Sequence, residues 1–337
     1  MISVDSRTKK KAGMAAFALT MLIVVTLIAG ATLPLCAQTD GAAAEAPAVN
    51  HNTWTTGAVM PTARWSGASG VIDKLIYVVG GATGTAVTGV NEIYNPKTNK
   101  WSTGASMPTP RFAVASAVVN NILYVFGGSD NGSDALNVVE AYNPATNSWS
   151  TLTNMPTARN SMSAAVDKGI IYVVGGYSNG SRLSTVESYN PTTNSWTEEA
   201  PLLVGKSGPA VGLLGATIVA AGGLSNSGVT GDNEAYTVKK NKWATLTADP
   251  TPRQAQCSWV ISGELYVAGG SGSSGALTLN EAYSPKTKSW ATLASMPDAV
   301  AGANSAYLST KLYCIGGSDT GVLGSGLAYD FVQIYQK

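Results

Sequence analysis

The sequence predicts an all-β protein, a six-bladed β-propeller with four strands per blade over residues 52–337. Two observations carry that reading. Trp recurs at 54, 101, 149, 196, 243 and 290, and Gly-Gly pairs begin at 80, 127, 175, 222, 269 and 316, in steps of 47 or 48. A Tyr follows each pair, at 94, 142, 189, 236, 283 and, after a longer loop, 335. A fixed period of this length marks a repeat architecture in which each unit buries its apolar face against its neighbours. The composition agrees: 37 Gly and only 12% charged residues point to many tight turns and few solvent-facing helices.

Within one unit the strands follow in order. In the second, "FAVASAVV" (112–119) is apolar and small and ends at an Asn-Asn turn. "ILYVFGG" (122–128) is rich in β-formers and closed by glycines, "VVEAY" (138–142) alternates, and "SWSTL" (148–152) follows an Asn-Pro turn. Short runs of this kind with turn signals at both ends read as strands, and four per repeat, six times over, read as blades around an axis. "AYNPATNSW" (141–149) and its copies at 93–101 and 188–196 are the third strand, a tight turn and the fourth strand. Pro presets φ in that turn while Asn bonds its own backbone. Tyr and Trp are expected to fill the space between blades. The chain opens on a Trp strand with no Gly-Gly before it and ends just after Tyr335 with no Trp strand to follow. The first strand is therefore expected to complete the last blade and remove its open edge.

The N-terminus is a separate object. Arg7, Lys9, Lys10 and Lys11 precede a mostly apolar run from Ala12 to Leu33. Residues 1–37 read as a signal peptide, cleaved after Ala37, or as an uncleaved signal anchor, with 38–51 as a linker. "LPLC" (33–36) fits a lipidation box poorly, because Leu35 stands where a small residue is wanted. Each reading exports the rest of the chain, to the periplasm or beyond, and leaves any membrane contact to residues 12–33. Without 1–37 the chain holds 17 basic and 19 acidic residues, a net charge of −2, which offers no electrostatic footprint for nucleic acid. Cys36 lies in the leader, and Cys257 and Cys314 sit in apolar strand patterns of different repeats; an exported protein could pair them, but no spacing demands it, and buried free thiols are the favoured reading.

Gly-Gly, then Tyr, then Trp seven residues on, with "MP" and a basic residue ahead of the next strand, resembles the Kelch repeat. "IYVVGG" at 76–81 and 171–176 is of the same kind. The resemblance covers Asn52 to Lys337 and implies a propeller used to bind partners, in some members with an enzyme site. The copper site of galactose-oxidase-like members needs His ligands, and the one His here is His51, in the linker. A Ser-His-Asp triad or a His metal site in the propeller is excluded on the same ground. "SDNGSD" (129–134) reads as an Asn-Gly turn in preference to a calcium loop. No cofactor, metal or catalytic residue is assigned.

Two patterns bear on function. Ten residues after each Trp stand Arg64, Arg111, Arg159, Lys206, Arg253 and finally Val300. Two before each Tyr stand Glu92, Glu140, Glu187, Glu234, Glu281 and finally Gln333. The basic residues could ring an anion-binding mouth, but joint loss of both charges in the sixth unit favours a pair inside each blade. Chain direction places the loops entering strand one and leaving strand two on one face, which carries the longer loops and is the default site. The candidate binding residues there are Trp65, Phe112, Asp130, Tyr177, Arg182, Gln254 and Asp319. Two function classes follow: a monomeric module that binds a protein or glycan outside the cytoplasm, or an exported sugar enzyme of the sialic-acid mutarotase type. The second needs acid and base groups converging on the mouth, for which Asp130, Asp319 and Arg182 are the residues on offer.

Overall fold

The computed structural model describes residues 52–320 and 326–337, so the proposed leader, the linker and His51 lie outside the described residues. The described chain is all-β, with a single 3-10 turn at Val238–Lys240 and no α-helix. It forms six four-stranded antiparallel sheets. The first runs through Ala68–Ile72, Leu75–Val79, Asn91–Asn95 and Lys100–Gly104, each strand beside its sequence neighbour. The next four sheets repeat this order. The sixth takes Asn304–Leu308, Lys311–Ile315 and Val332–Gln336 from the end of the chain and Thr53–Thr56 from its start. Trp54 lies opposite Tyr335 there, in the register that puts Trp101 opposite Tyr94 in the first sheet.

The first strands of the six sheets touch one another in a closed cycle. Just ahead of them six peptide groups form a ring of hydrogen bonds. The N–H of Ser66 donates to the carbonyl of Gly302, Gly302 to Ala255, Ala255 to Gly208, Gly208 to Ser161, Ser161 to Ala113, and Ala113 to Ser66, all at 2.6–3.0 Å. Every member has positive φ, 52–66°. That turn ends the preceding loop, so in the second unit the strand begins at Ala115, three residues later than the apolar pattern suggests.

The outer rim is laced in the same way. The indole N–H of Trp101 donates to Ala58 O (2.9 Å), Trp149 to Ala105, Trp196 to Thr153, Trp243 to Ala200, Trp290 to Thr247 and Trp54 to Ala294. Each bond joins a fourth strand to the segment that leaves the preceding sheet. The second Asn of "YNPxTNxW" works beside it. Asn147, in the left-handed region, accepts from the Tyr142 hydroxyl (2.7 Å) and from the Ala105 N–H of the previous blade (2.7 Å). Asn99, Asn194, Asn241 and Asn52 repeat the Tyr bond. Burial pushes the Tyr189 phenol up to about 12, which keeps it protonated as a donor. The first Asn caps the turn: Asn95 Oδ1 accepts from Lys97 N, and Asn143 and Asn190 do the same two residues on.

One expectation is corrected. Cys257 and Cys314 are joined in a disulfide, not held as free thiols. The first strand of the fifth sheet lies against the second strand of the sixth, which brings their Cα atoms to 6.1 Å. The repeat period cannot show this, because each Cys occurs in one unit only.

Candidate functional site

The basic ring is buried and paired. Arg64, Arg111, Arg159, Lys206 and Arg253 each have no exposed surface. Arg64 meets Glu92 at 2.7 Å, Arg159 meets Glu187 at 3.0 Å and Lys206 meets Glu234 at 2.9 Å, while Arg111 and Arg253 are in contact with Glu140 and Glu281. Every pair lies within one blade. Arg64 reaches over the second strand and donates to the Val78 carbonyl on the way (2.9 Å), as Arg111 does to Val125 and Arg159 to Val173. Gly176 leaves the room for this in the third blade: a Cβ there would stand 3.3 Å from Arg159 Cδ. Its partner position serves the next blade over; a Cβ on Gly80, at φ +67°, would sit 2.7 Å from the Arg111 carbonyl.

Burial lowers the pKa of Arg64, Arg111 and Arg159, and the carboxylates they meet oppose that fall. The carboxylates are further filled by Thr62, Thr109 and Thr157, whose hydroxyls donate to Glu92, Glu140 and Glu187. In the sixth blade Gln333 replaces the carboxylate, accepting from Asp298 N (2.9 Å) and donating to Asp298 O (3.3 Å). No cation of this ring is left for an anion, so the pair inside each blade is the correct reading of the pattern.

The loop residues chosen from the sequence do not form one site. Trp65, Phe112 and Gln254 occupy equivalent positions, one after the basic residue, and each pairs through its backbone with the residue after Gly-Gly: Ala82, Ser129 and Ser271. Trp65 is fully buried and Phe112 is 8% exposed, packed together over Ala82. Neither presents a surface to a partner, which corrects their place among the aromatic anchors. Their position inside the ladder that follows Gly-Gly, not out in the loop, is the reason. Gln254 is half-buried.

Tyr177 and Arg182 come together in a short hairpin, the guanidinium 5.1 Å from the ring centre. Asp130 is exposed in a loop held by its neighbour: Asn131 Oδ1 accepts from Ser133 N and Asp134 N. Asp319 is half-buried and accepts from Leu327 N (2.9 Å). Among the described residues no group of three His, Cys, Asp or Glu side chains is placed to hold a metal.

Among the described residues, a concave site lies on the axis, a cavity of about 270 Å³ walled by the first strands and the six-peptide ring. None of the seven predicted residues lines it. Its wall is Ser66, Ser69, Ser116, Gln256, Asn304 and Ser305 with small and apolar neighbours, and holds no Asp, Glu, His, Lys or Arg. The serines also join blades: Ser69 Oγ donates to Ser305 O (2.8 Å) and Ser116 Oγ to Ser69 O (2.9 Å). The signal was in the sequence, since Ser stands five residues after the basic position at 69, 116, 258 and 305.

These features agree with the comparisons. The family profile of the KLHDC2/KLHL20/DRC7 Kelch-repeats domain matches residues 68–248, and the Kelch motif matches 256–297. No curated protein matches the chain. A solved structure described as "Structure of YjhT" superposes with a TM-score of 0.72 at 21% identity, covering 83% of this chain and 97% of that one, a likeness of fold. With the profile spanning more than half of its length and the repeat geometry present in every sheet, the chain belongs to the Kelch-repeat family of β-propellers.

Proposed function

We propose that this Kelch propeller is a monomeric, non-catalytic binding module that works outside the cytoplasm and takes a protein or a glycan. One observation carries it: the axial cavity is polar yet lined by no side chain that titrates near neutral pH. General acid–base chemistry needs such a group within hydrogen-bond reach of the reacting atoms. Amides and hydroxyls instead offer hydrogen bonds and shape. Asp130 and Arg182, the groups a sugar mutarotase would need from the loops, stand outside the cavity wall, as does Asp319.

Export is supported by the basic and apolar leader pattern and by the disulfide, since such bonds persist in oxidising compartments. The test pairs a capture experiment with an activity assay. Purified protein is screened against immobilised glycans and extracellular protein fractions, and separately incubated with freshly dissolved single-anomer sugars, N-acetylneuraminate included. Specific capture with anomer exchange at the buffer rate is the expected outcome. Turnover abolished by Asp130→Asn or Asp319→Asn in a folded protein would sink the binding-only reading.

A further inference from the structure

We propose that the face built from the turns between strands one and two and between strands three and four lies against an anionic lipid surface, with lysines as the contact. The proposal does not depend on what the axial cavity takes. In each antiparallel sheet those two turns share one end, and the peptide ring at the start of every first strand points all six sheets the same way. Lys74, Lys168 and Lys311 stand in or beside the first kind of turn. Lys97 and Lys100, then Lys239, Lys240 and Lys242, then Lys286 and Lys288 stand in or beside the second, in the first, fourth and fifth blades. Lys337 follows the third strand of the sixth blade, at the same end. All eleven are exposed, and the one other lysine of the described chain, Lys206, is buried. Three carboxylates share this face, Asp73, Asp167 and Glu264, so its side-chain balance is +8. Glu198 and Glu199, at the far end of a fourth strand on the rim, lower it only to +6 if counted. The opposite face holds Arg182 with Asp130, Asp134, Asp232, Asp298, Asp319 and Asp330, a balance of −5.

Among the described residues Lys337 meets Glu264 at 3.2 Å, and the other ten lysines of this face form no ion pair. Their chemistry narrows the partner. They are ammonium groups on long flexible stems, with no guanidinium among them, and they are spread over the turns of five blades. Such an array suits a surface of many anionic headgroups better than a single carboxylate or phosphate held in a fixed fork. Two further observations favour a bilayer. Asn52 fills in the sixth blade the place that Asn99 and Asn147 fill in their turns, accepting from the Tyr335 hydroxyl (2.8 Å). The apolar run 12–33 therefore joins the propeller on the lysine face, with only 38–51 as linker. Tyr307, 38% exposed, stands next to last in the first strand of the sixth blade, toward the same face, as an aromatic at a lipid–water boundary does. Docked in this way, the propeller turns the peptide ring and the axial cavity, both at the start of the first strands, away from the lipid.

The experiment is a lysine footprint on the full chain in vesicles, of phosphatidylcholine alone or of phosphatidylcholine mixed with phosphatidylglycerol. A water-soluble acetylating reagent is added, and the modification rate of each lysine is read by mass spectrometry. The apolar run is present on both vesicles, so the contrast between them reports the propeller face and not insertion. In low salt, Lys239, Lys240, Lys242, Lys286 and Lys288 should react about fivefold or more slowly on the mixed vesicles than on the neutral ones. High salt should remove the difference. Lys239→Glu with Lys240→Glu and Lys242→Glu, all exposed, should return Lys286 and Lys288 to the rate seen on neutral vesicles. Equal rates on the two vesicles would overturn the proposal. So would protection that persists in high salt or in the triple variant, or stronger shielding of these lysines by duplex DNA or a polyuronate on neutral vesicles than by phosphatidylglycerol.

Discussion

The third and sixth blades answer the same structural need with different chemistry. In the third, Arg159 crosses the second strand to Glu187 at 3.0 Å, and both are buried. In the sixth, the two positions hold Val300 and Gln333, and a neutral amide bonds the backbone of Asp298 instead. The sixth is also the blade that joins the two ends of the chain, through Thr53–Thr56, and the one stapled to its neighbour by Cys257–Cys314. Burying two charges is expensive, and a good geometry only offsets it. The closing blade does without the charges and takes a covalent link. The position matters more than the ion pair: something must tie the segment entering strand one to the third strand, and either a charge pair or an amide–backbone pair will do it.

The largest effect should come from removing the closure. Deleting Asn52–Ala58 takes away the fourth strand of the sixth sheet, the Trp54 bond to Ala294, and the Asn52 oxygen that serves Tyr335 and Ala294. The exposed edge can then pair with other chains, so soluble yield should collapse and light scattering rise. The same deletion with an unchanged melting temperature would break the comparison at its root. Next in size, Cys257→Ala with Cys314→Ala should cost about 4 kcal/mol on the chain-entropy view, for a loop closed over 57 residues, and the loss should disappear when the parent is measured under reducing denaturing conditions. Arg159→Ala leaves Glu187 buried without its cation and should cost about 3–5 kcal/mol in chemical denaturation.

A smaller prediction concerns the fifth blade, where the pair is crowded. Asp249 stands where the other units carry Met60, Met107, Met155, Leu202 and Met296 in the core, and it approaches Arg253 at 3.3 Å while Glu281 also contacts that guanidinium. Burial raises the Asp249 pKa, with Arg253 and the Thr251 N–H acting against the rise. The folded state therefore holds this proton more tightly than the unfolded chain does. Its contribution is full below the ordinary carboxylate range and is lost as pH rises through the raised value. Asp249→Met should match the parent most closely in acid and exceed it at neutral pH, by about 1–4 kcal/mol if the methionine packs as its counterparts do. Equal pH profiles for parent and variant would contradict the assignment.

What could be read from the sequence is what recurs. Six Trp, six Gly-Gly pairs and six Tyr located the sheets, the closing strand and the Arg–Glu pairs, because a role repeated in every blade leaves a periodic trace. Features that occur once leave none. The Cys257–Cys314 contact runs between blades, so no spacing announces it. Trp65 and Phe112 looked like face residues at the entry to strand one, whereas a left-handed residue follows each and both rings pack in a buried cluster with Ala82.

The central claim is that the basic residue and the carboxylate are one device, used inside a blade and dispensable only together. A double-mutant cycle in the sixth blade tests it by building the device where it is missing. Val300→Arg alone places a buried cation opposite Gln333 and should destabilise the protein. Gln333→Glu alone buries an unpaired carboxylate and should do the same. Together they recreate the arrangement of Arg159 with Glu187, so the account predicts a favourable coupling of about 1–3 kcal/mol in the denaturation free energies. Strictly additive losses, with no coupling between the two substitutions, would contradict it.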